Sequence, residues 1–204
     1  MNVHDLKDRI GQASGARAAS IGLGFVKDER QRLLDEITVL KTQILTLEHA
    51  ADTDPLVPIY NRRAFVREIE RAQTVMARYD ILSSLIFFDL NGFKLINDQY
   101  GHIVGDELLT KIGMILKASV RDCDMVARLG GDEFGVLLFK TDETVAKAKA
   151  SSLSCRISEQ IVEVGTKNVT LNSAWGVSAC NPQDTSKQIL DRADRAMYKT
   201  KPDT

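Results

Sequence analysis

Cysteine is scarce in this chain: 204 residues hold three, Cys123, Cys155 and Cys180, far apart and without metal or redox spacing. That excludes a disulfide framework and a cysteine-built zinc site, and fits a reducing compartment. Charge of one sign is missing too. The formal net charge is −1, so there is no basic coat for nucleic acid or for an anionic membrane surface. No apolar run is long enough to cross a bilayer, and the N-terminus lacks a secretory leader pattern. No internal repeat or low-complexity tract is present. The expectation is a soluble, cytoplasmic protein with neither nucleic acid nor membrane as partner. Its length suffices for one sizeable core and an appendage.

The most informative stretch runs from Met125 to Phe139, MVARLGGDEFGVLLF. Two apolar, strand-prone runs flank Gly130-Gly131-Asp132-Glu133, which predicts a hairpin, since paired glycines tolerate the positive φ of a tight turn. The turn carries two adjacent carboxylates. Left alone they repel, and a divalent cation bound by hard oxygen ligands would relieve them. A solvated acidic turn is the plainer alternative. Leu85-Ile86-Phe87-Phe88 reads as a buried strand, and it ends on Asp89. An acid at the exit of a buried strand is costly unless paired or liganded. If this strand neighbours the hairpin, Asp89 faces Asp132 and Glu133, an arrangement suited to metal-assisted phosphoryl or nucleotidyl transfer.

Residues 1–20 are rich in small side chains and weakly patterned. Further on, Val26, Leu33, Ile37, Leu40, Ile44, Leu47 and Ala51 mark a narrow stripe, spaced by alternating fours and threes past Leu33, with charges around it. This predicts a dimerising coiled-coil helix; an amphipathic helix lying on the chain's own core is the alternative. Pro55 and Pro58 end that helix and stiffen a joint, so the boundary is set between segments 1–51 and 52–204. Asn61 is placed as the cap of a helix with Phe65, Ile69, Ala72, Met76 and Tyr79 on one face. Gly105-Asp106 is expected to open a further helix, with Leu108, Leu109, Ile112, Ile115 and Leu116 toward the core. Ala146, Ala150, Leu153, Ile157 and Ile161 mark another helix. The alternation from Val169 to Ala179 predicts one strand with a single buried face, and a last helix is set at Ser186 to Lys201.

Several motifs, in order, carry a family resemblance over roughly Asp52 to Lys201. Arg128-Leu129-Gly130-Gly131-Asp132-Glu133-Phe134 resembles the signature of the GGDEF domain of diguanylate cyclases. Asp89 to Asp106 is similar to the family's Asp-x-Asp-x-Phe-Lys-x-Ile-Asn-Asp-x-x-Gly-His-x-x-Gly-Asp, with Asn91 where the second Asp is usual. Asp54, Leu56, Asn61 and Arg62 match the entry motif Asp-x-Leu-Thr-Gly-Leu-x-Asn-Arg, but Val57-Pro58 replaces Thr-Gly. Ala193-Asp194-Arg195-Ala196-Met197-Tyr198-Lys199-Thr200-Lys201 resembles the closing Ala-Asp-x-Ala-x-Tyr-x-Ala-Lys. Arg121-x-x-Asp124, with five residues between it and Gly130, has the form of the family's product-inhibition motif.

The resemblance implies an α/β fold, a central and mostly antiparallel sheet surrounded by helices, as in nucleotide cyclases. It implies a homodimer that joins two GTP into cyclic di-GMP. Asp89, the Leu90 carbonyl, Asp132 and Glu133 would bind magnesium, with manganese as a substitute. Asp132, Glu133 and Lys94 would be catalytic, Asp132 as proton acceptor and Lys94 on the phosphates. Asn97 and Asp106 would read guanine, whose N1 and N2 donors suit a carboxylate. His102, Gly130 and Gly131 would lie along the substrate, Lys201 on its triphosphate, and Arg121 and Asp124 would hold inhibitory product. A catalytically silent cyclic di-GMP receptor and a dimerising scaffold are the alternatives.

Overall fold

A computed structural model describes residues 30–44, 46–47, 50–164 and 167–201. Val26 of the expected stripe and the segment 1–20 lie outside the described residues. The chain divides between Ala51 and Asp52. Before the division, residues 30–44 form helix α1, with 46–47 and 50–51 also helical. Its Leu33, Ile37, Leu40, Ile44 and Leu47 are between 46% and 69% exposed. Leu34 and Val39, off the expected stripe, are as exposed, so the apolar surface is broader than the heptad pattern predicts.

After the division come β1 (Tyr60–Asn61), α2 (Arg62–Tyr79), β2 (Ser83–Asn91), α3 (Phe93–Tyr100), α4 (His102–Ala118), β3 (Met125–Gly130), β4 (Glu133–Phe139), α5 (Glu143–Ser158), β5 (Val162–Val164), β6 (Lys167–Val169), β7 (Asn172–Ala179) and α6 (Ser186–Tyr198). Five strands make one sheet in the order β1-β3-β4-β2-β7, and β5 and β6 form a separate ribbon. Only β1 runs parallel to its neighbour β3. The α/β, mostly antiparallel expectation is met.

The sheet is covered on both faces. Ile86, Phe88, Leu90, Val126, Phe134, Val136 and Leu138 share a core with Leu108, Leu109, Ile112 and Leu116 of α4 and Ala146, Ala150, Leu153 and Ile157 of α5. Leu85, Phe87, Ala127, Leu129 and Leu137 point the other way, to Phe65, Ile69 and Ala72 of α2 and Ile189, Leu190, Ala193 and Met197 of α6. β2 lies inside the sheet, between β4 and β7, and its run from Ser83 to Phe88 is buried without interruption.

Several local expectations are corrected. Tyr79 is 68% exposed, while Gln73 of the same helix is buried and donates to the carbonyls of Asn181 and Asp184. Ile161 lies beyond α5 and is exposed. Gly105-Asp106 does not open its helix: α4 begins at His102 behind Gly101 (φ 85°), so Asp106 stands exposed in its second turn. The stretch 169–179 is two strands, Val169 closing β6 and Asn172 opening β7. β7 is also buried on both faces, because the residues that read as a polar face are small. A Cβ on Gly176 would stand 2.0 Å from the Ala193 carbonyl oxygen and 2.2 Å from the Met197 nitrogen, so α6 lies with its backbone against the strand. The last helix stops at Tyr198, three residues short of Lys201.

The joint after α1 is built on α4. Val57, one of the two departures from the entry motif, is fully buried, and Gly113 of α4 has no side chain because Val57 Cγ1 would lie 2.3 Å from its Cβ. Lys117 Nζ donates to the Pro58 carbonyl at 3.3 Å. The carboxylate of Asp54 folds the loop over by accepting from the Leu56 and Val57 amides.

Candidate active site

The hairpin turn is shorter than the sequence predicts. Gly130 pairs with Glu133, so only Gly131 (φ 30°) and Asp132 remain outside the strands, after an irregularity between Arg128 and Gly130. Glu133 therefore becomes a strand residue, and the β2–β4 register sets it directly opposite Asp89. The Leu90 amide donates to the Asp132 carbonyl at 3.2 Å, which ties the turn to the exit of β2. From beyond α6, Lys201 Nζ donates to Asp89 Oδ1 at 2.6 Å. Asp89, Asp132, Glu133 and Lys201 thus come together at one end of the sheet.

Their electrostatics match that placement. Burial pushes the Asp132 carboxyl above its ordinary value, with the neighbouring Asp89 charge adding and Lys201 and Arg128 opposing. Burial also raises Glu133, aided by Asp89, Asp132 and Asp194 and opposed by Arg62. The hydrogen bond to Asp89 holds the Lys201 ammonium above the usual lysine value. The site is a set of acids short of positive charge.

Among the described residues, no three His, Cys, Asp or Glu side chains group closely enough to cage an ion. Magnesium keeps most of its water and takes one or two protein carboxylates beside substrate phosphate oxygens. The facing pair Asp89 and Glu133, flanked by the Leu90 backbone and by an acid raised through crowding, fits that chemistry.

The turn is also gripped from below by a residue to which the sequence reading gave no role. Arg128 donates from Nε and Nη2 to the Gly131 carbonyl, at 3.0 and 2.8 Å, and from Nη1 to Asp54 Oδ1 at 3.3 Å. A fork onto one carbonyl needs a guanidinium. The signal available in the sequence was an arginine two residues ahead of a glycine pair.

The other expected substrate residues lie on α3 and α4. Lys94 is exposed in the first turn of α3, and His102 is exposed at the start of α4. Asn97 is half-buried, and its Oδ1 is sealed from solvent without a hydrogen-bond partner. Its carboxamide lies against Gly105, the neighbour of Asp106, so the two expected base readers are adjacent.

Arg121 and Asp124 stand at the opposite end of the hairpin. Asp124 accepts from the Arg121 amide at 3.1 Å and from the Phe139 amide at 3.0 Å, bracing the loop. With Arg67, Arg71, Tyr60 and Lys140 they line a cavity of about 760 Å³. Arg67 and Arg71 were not singled out in the sequence, because nothing local links α2 to the Arg121 loop. No described helix is long and apolar enough to cross a membrane.

Comparison with known proteins agrees with this architecture. The family model "Diguanylate cyclase, GGDEF domain" matches residues 51–204. The diguanylate cyclase TpbB of Pseudomonas aeruginosa is 32% identical over 207 aligned residues, covering 95% of this chain and 45% of that protein. The chain spans less than half the length of the first curated relatives it matches. Among solved structures, the diguanylate cyclase SiaD of P. aeruginosa, in complex with its activator SiaC, has 25% identity and a TM-score of 0.73 over 97% of this chain and 79% of its own. The coiled coil and GGDEF domain of DgcB from Caulobacter crescentus, in complex with c-di-GMP, gives a TM-score of 0.74 at 23% identity, over 83% and 92% of the two chains, a likeness of fold.

Proposed function

The chain belongs to the GGDEF family of diguanylate cyclase domains, and on that premise we propose that it condenses two GTP into cyclic di-GMP with release of pyrophosphate. The observation that carries the reading is the acidic pair Asp89 and Glu133 on facing strands, with the Lys201 ammonium 2.6 Å from Asp89. Acids and a cation gathered at the end of a sheet suit a polyphosphate and its counter-ion.

In this proposal each subunit holds one GTP, and the 3′-hydroxyl of one attacks the α-phosphorus of the other in line. Asp89, Asp132, Glu133 and the Leu90 carbonyl would hold magnesium or manganese. When bound, the metal supplies charge neutralisation at the phosphate and acidifies the attacking hydroxyl. Lys94 and Lys201 carry phosphate charge. Gly130 and Gly131 let the backbone approach the nucleotide, and His102 lies beside it. Asn97 and Asp106 read guanine: a carboxylate accepts from N1 and N2 together, a donor pair adenine lacks, so ATP is rejected. Asp132, in the turn beside that pair, takes the proton of the attacking hydroxyl. A half-site per chain makes a homodimer necessary, and the exposed apolar surface of α1 supplies its contact. Product bound at Arg121 and Asp124 restrains the enzyme.

The cavity shared by Arg67, Arg71 and Arg121 favours one second reading, a cyclic di-GMP receptor without turnover. A single experiment separates the two. Protein stripped of bound nucleotide is incubated with GTP and magnesium beside an Asp132→Ala variant, and products are resolved by chromatography. Cyclic di-GMP from the native chain alone supports the cyclase. No product, with cyclic di-GMP still binding, removes it in favour of the receptor.

A further inference from the structure

Gly105 lies inside α4, where glycine is a poor choice: among residues in a helix interior only proline is less favourable. Its φ is ordinary for a helix, so no turn geometry calls for it. The space its missing Cβ would fill is taken by another side chain. A Cβ built there stands 2.0 Å from Asn97 Oδ1, 3.0 Å from Asn97 Cγ and 3.1 Å from Phe93 Cζ. Phe93 is a buried core residue and cannot yield cheaply. Asn97 can, because its carboxamide ends a short side chain that makes no hydrogen bond through the sealed Oδ1.

We infer that Gly105 is a positioning residue for nucleotide selection: its bare Cα is the seat that holds the Asn97 carboxamide beside Asp106. This rests on the base-reading role of Asn97 in the proposed function. Any side chain at 105 would be accommodated by turning Asn97 out of its seat. The fold would survive, since the helix gains a better former, while guanine recognition would be lost. The glycine is kept for what lies against it, not for its own conformation.

The test is a double-mutant cycle with Gly105→Ala, Asn97→Ala and the combination. Binding of the α,β-methylene analogues of GTP and ATP, with magnesium, is measured by calorimetry. Thermal melting and cyclic di-GMP binding at the distant Arg121 cavity report whether the fold is intact. Each single variant is expected to bind the GTP analogue about tenfold more weakly and to narrow its preference over the ATP analogue, with melting unchanged or raised for Gly105→Ala. The double variant should be no weaker than Asn97→Ala alone, because the displaced group is already gone. Wild-type affinity in Gly105→Ala with a weakened Asn97→Ala overturns the positioning role while leaving base reading intact. Wild-type affinity in Asn97→Ala overturns base reading, and the inference with it. Losses that simply multiply in the double variant overturn the coupling.

Discussion

The ammonium of Lys201 stands 2.6 Å from Asp89 Oδ1, although 112 positions separate the two residues. The contact joins the segment after α6 to the exit of β2. It supplies positive charge to Asp89 and Asp132, acids that repel one another.

Removing that charge has a two-part outcome. Lys201→Met should lower the stability of metal-free protein by about 1 kcal/mol or less, the worth of a partly exposed ion pair. Magnesium should recover that loss in a melting experiment, while affinity for GTP falls. A variant with unchanged melting and unchanged nucleotide affinity would take Lys201 out of the site.

Acidity offers a second check, with the sign fixed by Asp132. Its folded-state pKa lies above the ordinary 3.8 through burial first. The folded protein therefore takes up this proton before the unfolded chain does. The ionised group destabilises at neutral pH and is relieved as pH falls through the raised value. In chelator, Asp132→Asn should unfold at higher urea than the native chain at pH 7, and the gap should close as the solution approaches pH 4. A gap that widens on acidification contradicts this account.

Gly176→Ala is expected to be costly despite its small size. The new methyl would meet backbone atoms of Ala193 and Met197 at 2.0 and 2.2 Å, and backbone cannot rotate away. Overpacking of this kind costs about 1–3 kcal/mol, read from urea unfolding. Because α6 leads to Lys201, magnesium-dependent nucleotide binding should weaken in parallel. A destabilisation below half a kcal/mol, in the range of ordinary surface changes, would mean that the helix simply slides.

Ile37→Asp on α1 addresses assembly. Ile37 is 46% exposed in the single chain. A charge in a coiled-coil seam should shift sedimentation to the monomer and reduce cyclic di-GMP formation per chain, with GTP binding retained. Unchanged sedimentation would remove α1 as the contact proposed for assembly.

The sequence made the acidic end of the site legible and left its supports hidden. Asp89 ends an uninterrupted apolar run, and Asp132 and Glu133 stand between two others, so their meeting followed from strand logic. The two-residue turn did not follow, because the pairing of Gly130 with Glu133 depends on an irregularity beside Leu129 that no local pattern marks. The contact of Arg128 with Asp54 was equally hidden, because it spans 74 positions. β7 was misread as half-solvated because alternation shows polarity and not size. Ala174, Gly176 and Ser178 are small to admit α6, not polar to meet water. Gly105 shares that character, its reason lying in the side chain it accommodates.

The contact between Val57 and Gly113 makes two distant positions one heritable unit. With Val57 Cγ1 2.3 Å from where a Cβ would begin, position 113 cannot enlarge while position 57 keeps its valine. The order of mutational steps is therefore constrained: the joint must first lose volume before α4 can gain it. A chain that acquires a bulkier residue at 113 and survives should carry a smaller one at 57, and the two single changes made separately should each be less stable than the pair.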